Sequence, residues 1–204
     1  MAIDTDQRLA LAMTIPGAPV WRLSLEQYHR MIQTGILTDD DPVEFLEGLL
    51  VTKMPKNPPH SLATHLTRDA LARVVPAQWY VDAQEPFTTA DSEPEPDVLV
   101  VRGERRQYHD RHPQAQDVAL VVEVADTTLQ RDRTLKKRMY ARAMIPVYWI
   151  INLVERKIEW YAQPFAAEGE ADYAQRQEVA EDGMIPVVLD GVEVACLPVR
   201  DLLP

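Results

Sequence analysis

The sequence holds a single cysteine, Cys196. One thiol excludes an internal disulfide and a thiolate metal cluster, and it suits a reducing compartment. Long apolar runs are missing as well: nothing approaches the roughly 18 residues needed to span a bilayer. The short apolar stretch from Leu9 to Ile15 follows Asp4 and Asp6, where a secretory signal requires basic residues, and Pro16 ends it early. A soluble, cytoplasmic chain without a membrane partner is the expectation. Glycine is scarce, at seven residues, and none of it forms a phosphate-cradling loop, which argues against an NTP-driven engine. Positive charge is also short: 21 Lys and Arg stand against 32 Asp and Glu, a net charge of −11. Such a balance excludes a protein that coats nucleic acid through bulk electrostatics. The deficit is uneven, however. Between Arg102 and Arg142 ten basic residues face six acidic ones, a net +4, which leaves −15 on the rest of the chain. An exposed solvated face accounts for that bias as readily as a binding surface does.

What is present is ordinary globular material: 204 residues, 46% of them hydrophobic, enough for a proper core. Residues 1–20, with Pro16, Gly17 and Pro19, read as an N-terminal arm, and residues 21–204 as one domain. Ser24 and Gln27 make a capping-box pattern before Leu25, Tyr28, Met31 and Ile32, a first helix that Gly35 stops. Val43 to Leu46 and Leu49 to Val51 flank Glu47-Gly48 as a hairpin. Pro58-Pro59 opens a second helix with an apolar stripe of Leu62, Leu66, Ala70, Leu71 and Val74, ended by Pro76. Trp79 to Val81, Phe87 to Thr89, Val98 to Val101 and Val118 to Val124 then read as successive strands, the last nearly all apolar and therefore central. Thr127 and Thr128 are placed to cap a third helix running to about Ala143, before strands at Pro146 to Leu153 and Lys157 to Tyr161. The chain turns polar from Phe165, and Asp190-Gly191 joins a last hairpin of Met184 to Leu189 and Val192 to Cys196. The fold class is α/β, a mixed sheet flanked by helices.

Two carboxylates stand out. Pro94 and Pro96 hold the chain extended around Glu95 and fix Asp97 at the mouth of the strand from Val98. Glu123 interrupts the apolar strand Leu120 to Val124, and a buried carboxylate needs a cation, a hydrogen-bond network or a metal to offset its desolvation. If the two strands are neighbours, both carboxylates converge on one hard cation such as Mg²⁺; a surface cap plus a core salt bridge is the alternative. Asp132, Lys136 and Tyr140, four residues apart, share a helix face, so Lys136 is within reach of the carboxylates. It would stabilise negative charge growing on a phosphodiester, whereas in the plainer reading Asp132 and Lys136 form a helix ion pair. His60 and His65 lie near a helix start, as general bases or as makers of local hydrogen bonds. Tyr148 and Trp149, beside Ile150 and Ile151, belong to the core rather than to a base-stacking surface.

In order and spacing these pieces resemble the PD-(D/E)XK nuclease superfamily, and within it the Uma family of restriction-endonuclease-like proteins. The resemblance runs from about Trp21 to Leu203. It rests on Glu44-Phe45-Leu46-Glu47-Gly48, Pro55 and His60, then Glu95-Pro96-Asp97-Val98, Val121-Val122-Glu123-Val124, Asp132, Lys136 and Tyr140, and Tyr148-Trp149-Ile150. It implies a restriction-endonuclease-like core, a Mg²⁺ (or Mn²⁺) site at Asp97 and Glu123, catalytic help from a lysine, and Glu44 as a further acidic member. Two departures stand against it. The superfamily's lysine two positions after the glutamate is replaced by Ala125, which moves the role to Lys136, and Asp126 brings extra negative charge where a small hydroxyl residue is usual. The expected function is a Mg²⁺-dependent endonuclease that hydrolyses DNA, working as a homodimer on the two strands of a duplex. The competing expectations are a catalytically silent nucleic-acid-binding or protein-interaction module on the same scaffold, and a metal site acting on another phosphoester.

Overall fold

The structure is a computed structural model that describes residues 20–167 and 169–204. The expected arm, residues 1–20, lies outside these but for Val20. Helix α1 (Leu25–Gln33) begins where the capping box places it: Gln27 N–H donates to the Ser24 hydroxyl at 3.2 Å, and Ser24 N–H to Gln27 Oε1 at 2.9 Å. Strands β1 (Val43–Leu46) and β2 (Leu49–Thr52) pair antiparallel around Glu47 and Gly48, both with positive φ (49° and 77°). A Cβ on Gly48 would lie 2.9 Å from the Leu23 carbonyl oxygen, which accepts no such approach. Gly48→Ala is therefore expected to destabilise the chain by about 1–3 kcal/mol. An unchanged urea midpoint would show that Arg22 and Leu23, ahead of α1, do not pack against this turn in solution.

Helix α2 (Pro58–Val74) starts on Asn57, whose Oδ1 accepts the His60 N–H at 3.0 Å. Of the expected stripe Leu71 is buried and Ala70 and Val74 pack against the core, whereas Leu62 is exposed, and Ala63, Thr64 and Thr67 complete the buried face. The helix approaches the sheet through its small residues, which the apolar count overlooks.

Six strands form the main sheet in chain order: β3 (Trp79–Asp82), β4 (Val98–Arg102), β5 (Val118–Ala125), β6 (Val147–Asn152), β7 (Lys157–Ala167) and β8 (Glu170–Ala180). Every adjacent pair is antiparallel except β5 and β6, which are parallel. The crossover between them is the helical segment after Thr128. The sheet is thus mixed, as expected. All eight residues of β5 are buried, in keeping with its apolar run and central place. Strands β9 (Met184–Leu189) and β10 (Val192–Pro198) add the expected hairpin.

Three local expectations fail. Phe87 to Thr89 is not a strand; Thr88 makes one isolated bridge to Gln114. The third helix is not continuous: α3 (Leu129–Arg131) passes into a π-helical turn, Asp132–Lys136, and then into α4 (Lys137–Arg142). The Thr128 hydroxyl caps no backbone group, because it donates to Asp132 Oδ2 at 2.6 Å. The polar stretch after Phe165 holds all of β8, an edge strand largely exposed on both faces, so it lacks the alternation that marks a half-buried strand.

Two apolar layers cover the sheet. Val98, Val100, Val122 and Trp149 pack toward α2 and the β9–β10 hairpin. Leu99, Val121, Tyr148 and Ile150 pack toward Met139, Tyr140 and Ala141 of α4, with Leu46 of β1. Tyr148 and Trp149 are fully buried on opposite faces, the core placement expected of them. Among the described residues no helix is long and apolar enough to cross a membrane.

Candidate active site

Strand pairing builds the site. Val98 of β4 lies opposite Val122 of β5, so one step outward Asp97 comes beside Glu123 on the face that α4 covers. The segment before Asp97 is pinned by its own carbonyls, with Gln84 N–H donating to Pro96 O at 3.1 Å and Phe87 N–H to Pro94 O at 3.2 Å. Asp97 Oδ2 accepts the Val124 N–H at 2.9 Å and faces His60 Nε2 at 3.2 Å, and Oδ1 lies 3.5 Å from Lys56 Nζ. From the other side, Lys136 Nζ donates to Glu123 Oε1 at 2.8 Å and to Glu44 Oε1 at 3.2 Å, and the Tyr140 hydroxyl donates to the same Glu123 oxygen at 2.5 Å. Glu44 Oε1 also accepts the Glu95 N–H at 3.0 Å.

All seven residues expected at the site are gathered here. Asp97, Glu123, Lys136, Glu44, His60 and Asp132 line one cleft of about 80 Å³, with Tyr140 buried behind Glu123. Two plainer readings fail. Asp132 and Lys136 do not form an ion pair with each other, since the buried carboxylates of Glu123 and Glu44 take the ammonium while Asp132 holds Thr128. The His60 ring does not bond locally but reaches Asp97, thirty-seven positions away, leaving Nδ1 buried without a partner. His65 is exposed. Ala125 is fully buried in the core, and Lys136 supplies a lysine to Glu123 from the helix instead. The Asp126 carboxylate accepts from Asn57 Nδ2 at 2.6 Å at the edge of the cleft.

The electrostatics show what is missing. Six carboxylates and, besides His60, four cationic side chains line the cleft, so acidic groups outnumber basic ones by two in formal count. Burial pushes the Glu123 carboxyl up to about 8; Lys136 opposes this, while Asp132, Asp97 and Glu44 reinforce it. Burial likewise raises Asp132, against Lys136 and the Thr128 hydroxyl. Burial also works against ionised Asp97 and Glu44, but the hydrogen bond and charge of His60 hold Asp97 below the usual carboxylate range, and Lys136 with the Glu95 amide does so for Glu44. Desolvation works against the charge on Lys136, yet Glu123, Glu44 and Asp132 outweigh it and hold the ammonium protonated. A bound cation would favour the ionised forms of Glu123 and Asp132. Among the described residues no three His, Cys, Asp or Glu side chains are grouped as a ready-made metal cage. A carboxylate pair completed by water and phosphate oxygens is what Mg²⁺ or Mn²⁺ takes, so the donor set fits such an ion.

Residues 25–199 match the Uma2 family, described as "Putative restriction endonuclease". The chain belongs to the Uma2 family. A solved structure, described as a putative nuclease belonging to DUF820 from Anabaena variabilis, is 16% identical with a TM-score of 0.61. The alignment covers 90% of this chain and 97% of that one, and at this identity it shows a shared fold. No curated protein matches the chain. The family places this Uma2 protein among nucleases, and restriction-endonuclease-like families as a rule use divalent metal ions.

Sequence reasoning passed over several residues that line the Uma2 cleft: Lys53 and Lys56 between β2 and α2, Asn57 at the head of α2, and Thr128 and Arg131 before the π-turn. The signal available was position, since the two lysines precede His60 and Arg131 adjoins Asp132.

The raised Glu123 pKa has a consequence for stability. Between its ordinary 4.5 and about 8 the metal-free folded protein holds this proton more tightly than the unfolded chain does. The contribution is fully present below about 4.5 and is lost as pH rises through about 8. In urea unfolding of metal-free protein, Glu123→Gln is expected to flatten the decline in stability across this window. A decline of the same slope in the variant would assign it to other groups.

Proposed function

We propose that this protein is a divalent-metal-dependent endonuclease that hydrolyses phosphodiester bonds of DNA. The observation that carries the reading is the carboxylate pair: Asp97, at the mouth of β4, and Glu123 of β5 lie side by side in a cleft where acidic groups outnumber basic ones. Asp97 and Glu123 would hold Mg²⁺ or Mn²⁺, which when bound polarises the scissile phosphate and lowers the pKa of a bound water. The remaining residues orient and neutralise. His60 and the Val124 amide hold Asp97 in place, and Tyr140 fixes Glu123 by its hydroxyl. Lys136 spends two of its three N–H donors on Glu123 and Glu44, and the third is available to negative charge building on a phosphate oxygen. Glu44 anchors that ammonium from β1, and the charge of Asp132 favours it without pairing with it. A two-fold homodimer would present one such cleft to each strand of a duplex.

The test is nicking of supercoiled plasmid by purified protein at low salt, with Mg²⁺ or Mn²⁺ and with a chelator. Nicking that requires the metal supports the reading. No nicking by the wild type, together with no Mn²⁺ uptake in titration calorimetry, would replace it with a catalytically silent binding module. Mn²⁺ uptake without nicking would redirect it to another phosphoester.

A further inference from the structure

Four cationic side chains line the cleft, and three of them are engaged. Lys136 holds Glu123 and Glu44, Lys53 lies 2.7 Å from Glu95, and Lys56 lies 3.5 Å from Asp97. Arg131 differs. Among the described residues it makes no ion pair. Its Nη1 donates to the Thr52 carbonyl at the end of β2, at 3.2 Å, and its Nε is buried without a partner.

The free part of this guanidinium is the part that chelates. Nε and Nη2 form the side edge of the fork, and elsewhere in this chain that same edge clasps a carboxylate. Arg138 takes Glu47 at 3.2 and 2.7 Å through these two nitrogens, and Arg133 takes Glu159 through the same pair. A buried N–H left without an acceptor is costly, and such a group is explained when a ligand supplies the missing oxygen. The planar, permanently charged fork matches two oxygens of a phosphate. Arg131 also lies close enough to favour ionised Glu44 and Asp132, which places its charge beside the carboxylates rather than out on the surface.

We propose that Arg131 grips the DNA backbone, its Nη2, and its now-buried Nε once the side chain turns to the strand, taking a phosphate next to the scissile one, with Lys53 and Lys56 forming the rest of a basic lip. The proposal rests on the nuclease reading and adds the residues that hold the strand. Thr52 positions the fork: with Nη1 tied to the end of β2, the chelating edge is the one left for substrate. Lys53 and Lys56 are about one-third exposed, so their ion pairs can be exchanged for a phosphate at modest cost.

The experiment is fluorescence-anisotropy titration of a labelled duplex oligonucleotide in Ca²⁺, repeated over a range of KCl, alongside plasmid nicking in Mg²⁺. Arg131→Gln is expected to weaken binding about tenfold. It should also lower the slope of log affinity against log salt by about one, the signature of one lost phosphate contact. Arg131→Lys should keep the slope while losing part of the affinity, because it retains the charge and not the fork. Lys53→Gln with Lys56→Gln should lower the slope further, and Arg106→Gln, an exposed arginine outside the cleft, should leave it unchanged. A structural role for Arg131 would alter thermal stability without moving the salt slope. A wild type that nicks, with Arg131→Gln binding at wild-type affinity and slope, overturns the clamp alone. A wild type that neither nicks nor binds overturns the nuclease reading and the clamp together.

Discussion

Glu123→Gln and Asp97→Asn are each expected to lower metal-dependent nicking of plasmid DNA by about 10³-fold or more while leaving the fold intact. Both replacements keep size and shape. In Glu123→Gln the side-chain carbonyl still accepts from Tyr140, and Lys136 keeps Glu44 as a partner, so no buried charge is stranded. In Asp97→Asn one oxygen remains to accept the Val124 amide. What disappears is one unit of negative charge at the place where the lining must hold a divalent cation. Mn²⁺ binding measured by calorimetry should fall in parallel, and circular dichroism should show the wild-type spectrum. Nicking that survives in both variants would mean that this cleft is not the active site.

Lys136→Met is expected to be among the most destabilising single changes in the chain, by about 3–5 kcal/mol, because it leaves Glu44, which Lys136 holds ionised, buried without its cation and takes a donor from Glu123. For a protein of this size that corresponds to a melting temperature lower by about 10 °C. Activity should fall with it, since the ammonium beside the carboxylate pair is gone. The double variant Lys136→Met with Glu123→Gln should recover part of the lost stability without recovering nicking. That pattern separates the two roles of the lysine. A single Lys136→Met variant that melts like the wild type would show that the buried carboxylates are neutralised by protons instead, and one that nicks normally would remove Lys136 from the proposed chemistry.

Much of the site was legible before the structure because its residues break local patterns. Asp97 follows two prolines at a strand's mouth, and Glu123 is a lone charge in the eight-residue buried strand β5. Both are anomalies against backgrounds that physical chemistry makes regular. The four-residue spacing of Asp132, Lys136 and Tyr140 announced a shared face, and Lys136 and Tyr140 do meet on one oxygen of Glu123. What spacing could not say was where Asp132 turns. Its partner is Thr128, and a π-turn begins at Asp132, neither of which a helical period encodes.

Arg131 shows the opposite case. In sequence it is one arginine in a basic stretch, and only the meeting of α3 with the end of β2 makes it a cation with a free chelating edge inside an acidic cleft. His60 likewise could be read only as a histidine near a helix start until α2 was seen to bring it to Asp97. Local pattern by itself determined most of the elements, the central strand and the two carboxylates, because burial, capping and proline stiffness act over a few residues; it did not reveal β8 or the π-turn. The tertiary structure decided the partners: which cation meets which carboxylate, that Ala125's missing lysine arrives from the helix after β5, and how β8 joins the sheet. Those outcomes depend on charges and donors far apart in the chain competing for one buried site, and only the packed sheet brings them within bonding distance.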